Sequence, residues 1–239
     1  MKTLKTLATL TLLSIAPSFA MTFPATFTAT LGVIGDPAGF QINSFTFSNF
    51  DSGTNQLTMG IDFNYGGGFM AGAFRSFSVA GFTNAGGPVQ LNVGDIFFNN
   101  GSTKFAVAMS GHDGLAQGSL YQITGTQKSK DVLGNPFGGN YRPNQAVWMS
   151  ATGASEVGSG VITATSLGGN HFNTQVRVNT NAAFRTFLNG GFDFTFESAT
   201  CGNDVVFGSV GATATPEPES IVMLGAGLLA LGLMRRKSA

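Results

Sequence analysis

The stretch LTMGIDFNY, Leu57 to Tyr65, puts a large apolar side chain at every second position: Leu57, Met59, Ile61, Phe63 and Tyr65. Successive side chains of a strand point to opposite faces, so this period of two gathers all of these on one face and leaves Thr58, Gly60, Asp62 and Asn64 on the other. A strand with one oily and one wet face belongs in an antiparallel sheet packed on one side. Working outward, Phe45 and Phe47 alternate in the same way in NSFTFSNF, and Phe27, Ala29, Leu31 and Val33 do so in TFPATFTATLGVIG. Downstream, PVQLNV, DIFF, KFAVAM, SLYQIT, AVWMSAT, GVITAT, FNTQVRV, GFDFTF and DVVFG read as further short strands.

Turn formers separate them: Gly66-Gly67-Gly68, Gly86-Gly87-Pro88, Asn100-Gly101, Gly138-Gly139-Asn140, Gly168-Gly169-Asn170 and Asn189-Gly190-Gly191. Many short strands with such punctuation predict a mostly β fold, an antiparallel β-sandwich or barrel-like domain. The clearest hairpin joins DIFF to KFAVAM through Asn99 to Ser102, where Asn-Gly supplies positive φ. Only NAAFRTFLNGG competes as a helix, with Ala183, Phe184, Phe187 and Leu188 on one face, Asn181 as N-cap and Gly190 as stop.

Low charge and abundant small residues are compatible with disorder, but of 23 phenylalanines all except Phe19 lie beyond the first 20 residues, enough apolar area for a sizeable core. Between Met21 and Ala214 the chain carries seven basic and ten acidic residues, a net charge of −3, with no basic stripe or patch suited to phosphates, which argues against nucleic acid as a partner.

The two ends read differently from the body. Lys2 and Lys5 precede an apolar run from Leu7 to Ala16, and Ser18-Phe19-Ala20 puts small residues where a signal peptidase reads them. Residues 1–20 are therefore expected to be a secretory signal peptide, cleaved between Ala20 and Met21. At the other end, Ile221 to Met234 is 14 residues without a charge. As a helix it spans about 21 Å, short against a hydrocarbon core of about 30 Å. Arg235, Arg236 and Lys237 can snorkel to the headgroups and are expected to stay cytoplasmic. Pro216 and Pro218 fix φ and disfavour the helical region for their predecessors, so Thr215 to Pro218 should be extended and open to a protease.

The order Pro216-Glu217-Pro218, short apolar helix, Arg235-Arg236-Lys237 at the C-terminus resembles the PEP-CTERM sorting signal of exported bacterial proteins. The resemblance implies recognition and cleavage by an exosortase, a membrane-embedded transpeptidase-like enzyme, in a bacterium with an outer membrane. It also implies a transient stay in the inner membrane and a final place at the cell surface or in an exopolysaccharide, biofilm or floc matrix. The expected organisation is a signal peptide at 1–20, a β-rich extracellular domain at 21–207, a linker at 208–215 and the sorting signal at 216–239 with its membrane helix at 221–234. The function expected is structural or adhesive. The alternative is a secreted carbohydrate-binding module or carbohydrate-active hydrolase.

Motifs for chemistry are sparse. With His112, His171 and the single Cys201, the chain has no CxxC pair and no set of three histidines for zinc. Neither a G-x-S-x-G elbow nor a phosphate-binding loop occurs, and no catalytic constellation is recognised. His112 sits in SGHDG and His171 follows Gly168-Gly169-Asn170, both read as tight turns. Calcium needs only oxygen ligands, and Asp95 and Asp113 at expected loop edges are its first candidates, although no D-x-D-x-D-G loop joins them. Asp193 and Glu197 share a strand face, but four residues put them about 13 Å apart, too far for paired glycosidase carboxylates, and that face is expected to be solvated. Tyr141 and Trp148 flank RPNQAV and are the candidate sugar contacts. Cys201 is followed by Gly202-Asn203, which predicts a turn and a partly exposed thiol able to link two chains as a disulfide homodimer or to attach to another group; the alternative is a buried, inert thiol.

Overall fold

In the computed structural model, which describes residues 24–51, 53–84, 87–134 and 141–211, the apolar alternations of the sequence become strands. The expected signal peptide with its Ala20–Met21 junction, and the tail with Pro216, Glu217, Pro218, the apolar segment 221–234 and Arg235 to Lys237, lie outside the described residues. Among the described residues no helix is long and apolar enough to cross a membrane. Residues Met21–Thr213 form one unit.

The first elements are β1 (Ala25–Phe27), α1 (Pro37–Phe40), β2 (Ile42–Asp51), β3 (Gln56–Asn64), β4 (Phe69–Met70), β5 (Ala73–Phe74), β6 (Phe77–Asn84) and β7 (Gly87–Leu91). Next come β8 (Ile96–Asn99), β9 (Lys104–Val107), β10 (Leu120–Ile123), β11 (Thr126–Lys128), α2 (Ser129–Leu133) and β12 (Ala146–Met149). The last are β13 (Ser155–Gly158), β14 (Gly160–Gly168), β15 (His171–Asn179), α3 (Ala182–Asn189), β16 (Phe192–Glu197) and β17 (Val205–Val210). A five-stranded antiparallel sheet runs β1-β2-β3-β15-β14, and a six-stranded one runs β13-β10-β9-β8-β16-β17. The pairs β4–β5, β6–β7 and β11–β12 are two-stranded.

The two sheets face each other across the main core, which makes the fold a sandwich. From the first come Phe45, Phe47, Met59, Ile61, Phe63 and Val176; from the second Phe98, Phe105, Val107, Phe192, Phe194 and Phe196. Aromatic pairs span the gap, with Phe45 and Phe194 centroids 4.8 Å apart and Phe47 edge-on to Phe194 at 4.9 Å, a geometry that adds to simple burial. At one end α3 drives Phe184, Phe187 and Leu188 into the core. Asn181 Oδ1 caps α3 by accepting from the Phe184 N–H at 2.9 Å, as the sequence leads one to expect.

The margins of the sandwich are closed in different ways. On one side β13 in the second sheet continues into β14 in the first through Gly158-Ser159-Gly160. A Cβ on Gly158 would lie 1.9 Å from the Asn179 carbonyl oxygen, and one on Gly160 2.5 Å from that of Arg177, so only glycine lets the strand turn here. On the other side Thr30 and Leu31 both donate backbone N–H to the Val205 oxygen, at 2.9 and 3.1 Å. Among the described residues of the stretch expected as a strand at 22–35, Ala25–Phe27 form a strand and Leu31 makes an isolated bridge to Val205 of β17. β17 itself runs to Val210, so the sheet takes in Gly208 to Val210 of the segment expected as linker.

Candidate functional site

The outer face of the six-stranded sheet is covered by β12, which packs Met149 on Phe97, Ala106, Ala108, Tyr121 and Ile123. Asp95, just before β8, fastens this layer down. Its N–H donates to the Val147 oxygen at 2.9 Å, and its carboxylate accepts from the Met149 N–H at 2.8 Å and the Met109 N–H at 3.2 Å. A third donor is His112 Nε2, at 3.0 Å from Oδ2. His112 opens a two-residue turn in which Asp113 (φ 50) and Gly114 (φ 82) are both left-handed, closed by Leu115 N–H to the His112 oxygen at 2.7 Å. Asp-Gly is the pair such a turn favours. The turn holds the ring flat on Trp148, with centroids 4.2 Å apart and planes 4° from parallel.

The electrostatics follow from what faces each nitrogen. Burial disfavours the charged ring, but the hydrogen bond and charge of Asp95, with Asp113 Oδ2 3.6 Å from Nδ1, outweigh it and hold His112 above its ordinary value. A protonated ring on an indole face gains a further cation–π attraction. Among the described residues Nδ1 has no hydrogen-bond partner. Deeper in the same layer Glu197 is fully buried; Oε1 accepts from Gln145 Nε2 at 2.7 Å while Oε2 has no partner among the described residues. Burial first, and the nearby Asp95, push its carboxyl well above the usual range, so it is buried as the neutral acid.

Several expectations are corrected by this geometry. Asp95 and Asp113 are not brought together as paired oxygen ligands: the oxygens of Asp95 accept from N–H donors, and Asp113 lies on the other side of the imidazole with Oδ2 accepting from Gln127 Nε2 at 2.7 Å. Among the described residues no three His, Cys, Asp or Glu side chains are grouped to hold a metal ion. Tyr141 and Trp148 do not make an exposed pair: Tyr141 is 8% exposed and packs with Phe40, Leu91, Leu133, Ala199 and Cys201, while Trp148 gives one face to His112 and its Nε1–H to the Val93 oxygen at 3.3 Å. Glu197 is not on a solvated face, because the segment around Gln145 covers it; Asp193, on the same strand, is exposed and accepts from Ser209 Oγ at 2.5 Å. Asp193 lines an open depression of about 370 Å³ with Asn99, Gly190 and Ser209, at the end of β16 opposite Glu197.

Cys201 is also corrected. Gly202 does make the expected turn (φ 63), but the turn folds inward beneath Arg142, whose guanidinium donates to the oxygens of Gly202 (2.5 Å), Asn203 (2.6 Å) and Gly32 (2.7 Å). The thiol is buried against Asn203 Oδ1, and burial pushes it up to about 12. A thiol in that state neither ionises nor reaches a second chain, which removes the basis for a disulfide-linked homodimer. His171 begins β15 as a half-exposed side chain; its Nε2 lies 2.6 Å from Asp62 Oδ1, which also accepts from Asn43 Nδ2 at 2.7 Å.

The polar groups of this layer are fastenings between its parts, and the decisive likeness lies outside the body. Residues 214–237 match the PEP-CTERM protein-sorting motif. The match covers the Pro-Glu-Pro, the apolar segment and the bases of this PEP-CTERM tail, and it marks the chain for export and for membrane-associated sorting by an exosortase. No curated protein and no solved structure matches the chain.

Proposed function

We propose that this is a non-enzymatic structural or adhesive protein of the cell surface or extracellular matrix, in a bacterium with an outer membrane. Signal peptidase removes residues 1–20, Ile221 to Met234 holds the chain transiently in the inner membrane, and the exosortase cleaves near Pro216-Glu217-Pro218. The released body associates with exopolysaccharide. The observation that carries this reading is the sorting motif at 214–237. The body supports it: Asp95, His112 and Glu197 are used to bind one layer to the next.

A second reading, a carbohydrate-binding module, draws on the outer face of the five-stranded sheet, where Asn43, Asn173, Gln175 and Arg177 are exposed hydrogen-bonding side chains around Asp62 and His171.

Intact-mass measurement of protein recovered from the medium tests the main reading. The expected mass lacks Met1 to Ala20 and everything after the Pro-Glu-Pro, and Pro216→Ala with Pro218→Ala should leave the chain in the inner-membrane fraction. A medium protein that still carries Arg235 to Lys237, or one confined to the periplasm, overturns it. Retention on the cells' own purified polysaccharide that is lost in Gln175→Ala/Arg177→Ala would favour the second reading.

A further inference from the structure

Each sheet has two edges, and three of the four are short or covered. β1 has three residues and β13 has four. β17 receives Thr30 and Leu31 at Val205, and its Phe207 N–H donates to Thr30 Oγ1 at 3.2 Å. The fourth edge, β14, has nine residues, GVITATSLG, with no charge and no proline, and among the described residues it pairs with β15 alone. Strand edges are ordinarily blunted by charge, proline, shortness or a cover, because open N–H and C=O groups template pairing. On its outer side β14 also carries two of the large apolar side chains that the fold leaves in water, Val161 at 64% and Leu167 at 54% exposure.

We propose that β14 pairs with the β14 of a second copy, antiparallel about Ala164, so that two five-stranded sheets become one continuous sheet. The strand is self-complementary about that residue. With Ala164 facing Ala164 of the second copy, Thr163 falls opposite Thr165 and Ile162 opposite Ser166 within the regular stretch of the strand, and Val161 reaches Leu167, where the register of β14 with β15 shifts; each pair occurs twice. The apolar side chains cover one another and the threonines face each other. Ile162 is buried and Ala164 packs against the core, so the inner face of the sheet is already apolar where the strands would meet. No like charges are brought together within the strand. A one-residue shift would set Val161 on Ser166 and break every one of these matches.

The test is sedimentation and cross-linking of the intact chain in mild detergent. The chain should sediment at about twice the protomer mass, while Thr163→Lys and Thr165→Lys should each be monomeric with the parent's circular dichroism spectrum, since both sites are exposed. Thr163→Cys with Thr165→Cys should cross-link between copies, and Thr163→Cys alone should not, because two-fold symmetry about Ala164 sets residue 163 diagonal to itself. A monomeric parent chain overturns the proposal. So does a dimer that survives both lysines, one dissolved only by Phe207→Lys on the opposite margin, or cross-linking by Thr163→Cys alone.

Discussion

His112 and Glu197 are buried with opposite protonation logic, yet both bias the fold in the same direction with pH. Glu197 is an acid whose folded value is raised, so the unfolded chain sheds its proton from about pH 4.5 while the folded chain keeps it, and stability falls as pH rises from there. His112 is a base whose folded value is raised above 6.5, so its contribution is complete below about that pH and is lost as pH climbs through the folded value. Glu197→Gln should therefore flatten the lower part of the curve of melting temperature against pH, and His112→Gln the upper part. Curves parallel to the parent in both variants would contradict these assignments. These residues were only partly legible in the sequence. The Asp113-Gly114 turn was, because it is local chemistry. The partnership of His112 with Asp95 and Trp148 was not, since all three meet only when β12 is laid over the sheet. The same covering hides Glu197, which in sequence merely continues the polar positions of GFDFTFE.

α3 shows what local signals can and cannot specify in an element. Its cap, its stop and three of the four residues expected on its buried face, Phe184, Phe187 and Leu188, are realised, whereas Ala183 is exposed. Asn181→Ala removes the oxygen that accepts from Phe184 N–H and should cost about 1 kcal/mol in urea unfolding, the usual worth of an N-cap. A cost indistinguishable from that of an exposed loop substitution would mean the helix is held by packing alone. Strands such as β3 and β16 were legible because one face is buried and the other is not. β11 and β13 had no such signature: TQK and SEVG are short and mostly polar, with Val157 reaching the core, and they are held in place largely by backbone bonds.

At the scale of the whole molecule, the number and shortness of the strands pointed to two packed sheets, but the order of strands within them rests on distant pairings such as β8 with β16, which no local pattern encodes. The two margins should also differ in stability. Thr30, Leu31 and Phe207 are held at the β17 margin by single bonds to one another's strands, whereas Asn179 N–H bonds the Ser159 oxygen at 2.8 Å inside the glycine turn. Native-state hydrogen exchange should release the amides of Thr30, Leu31 and Phe207 well before that of Asn179, and equal protection would refute the difference. The passage of one strand through Gly158-Ser159-Gly160 makes this sandwich a bound book: its spine is unbroken chain, and its fore-edge is latched by Thr30, with Phe27 lying over Gly208. Such a volume opens from one side only, and the pages it shows first are Phe27 and Phe194, whose rings meet at 4.7 Å.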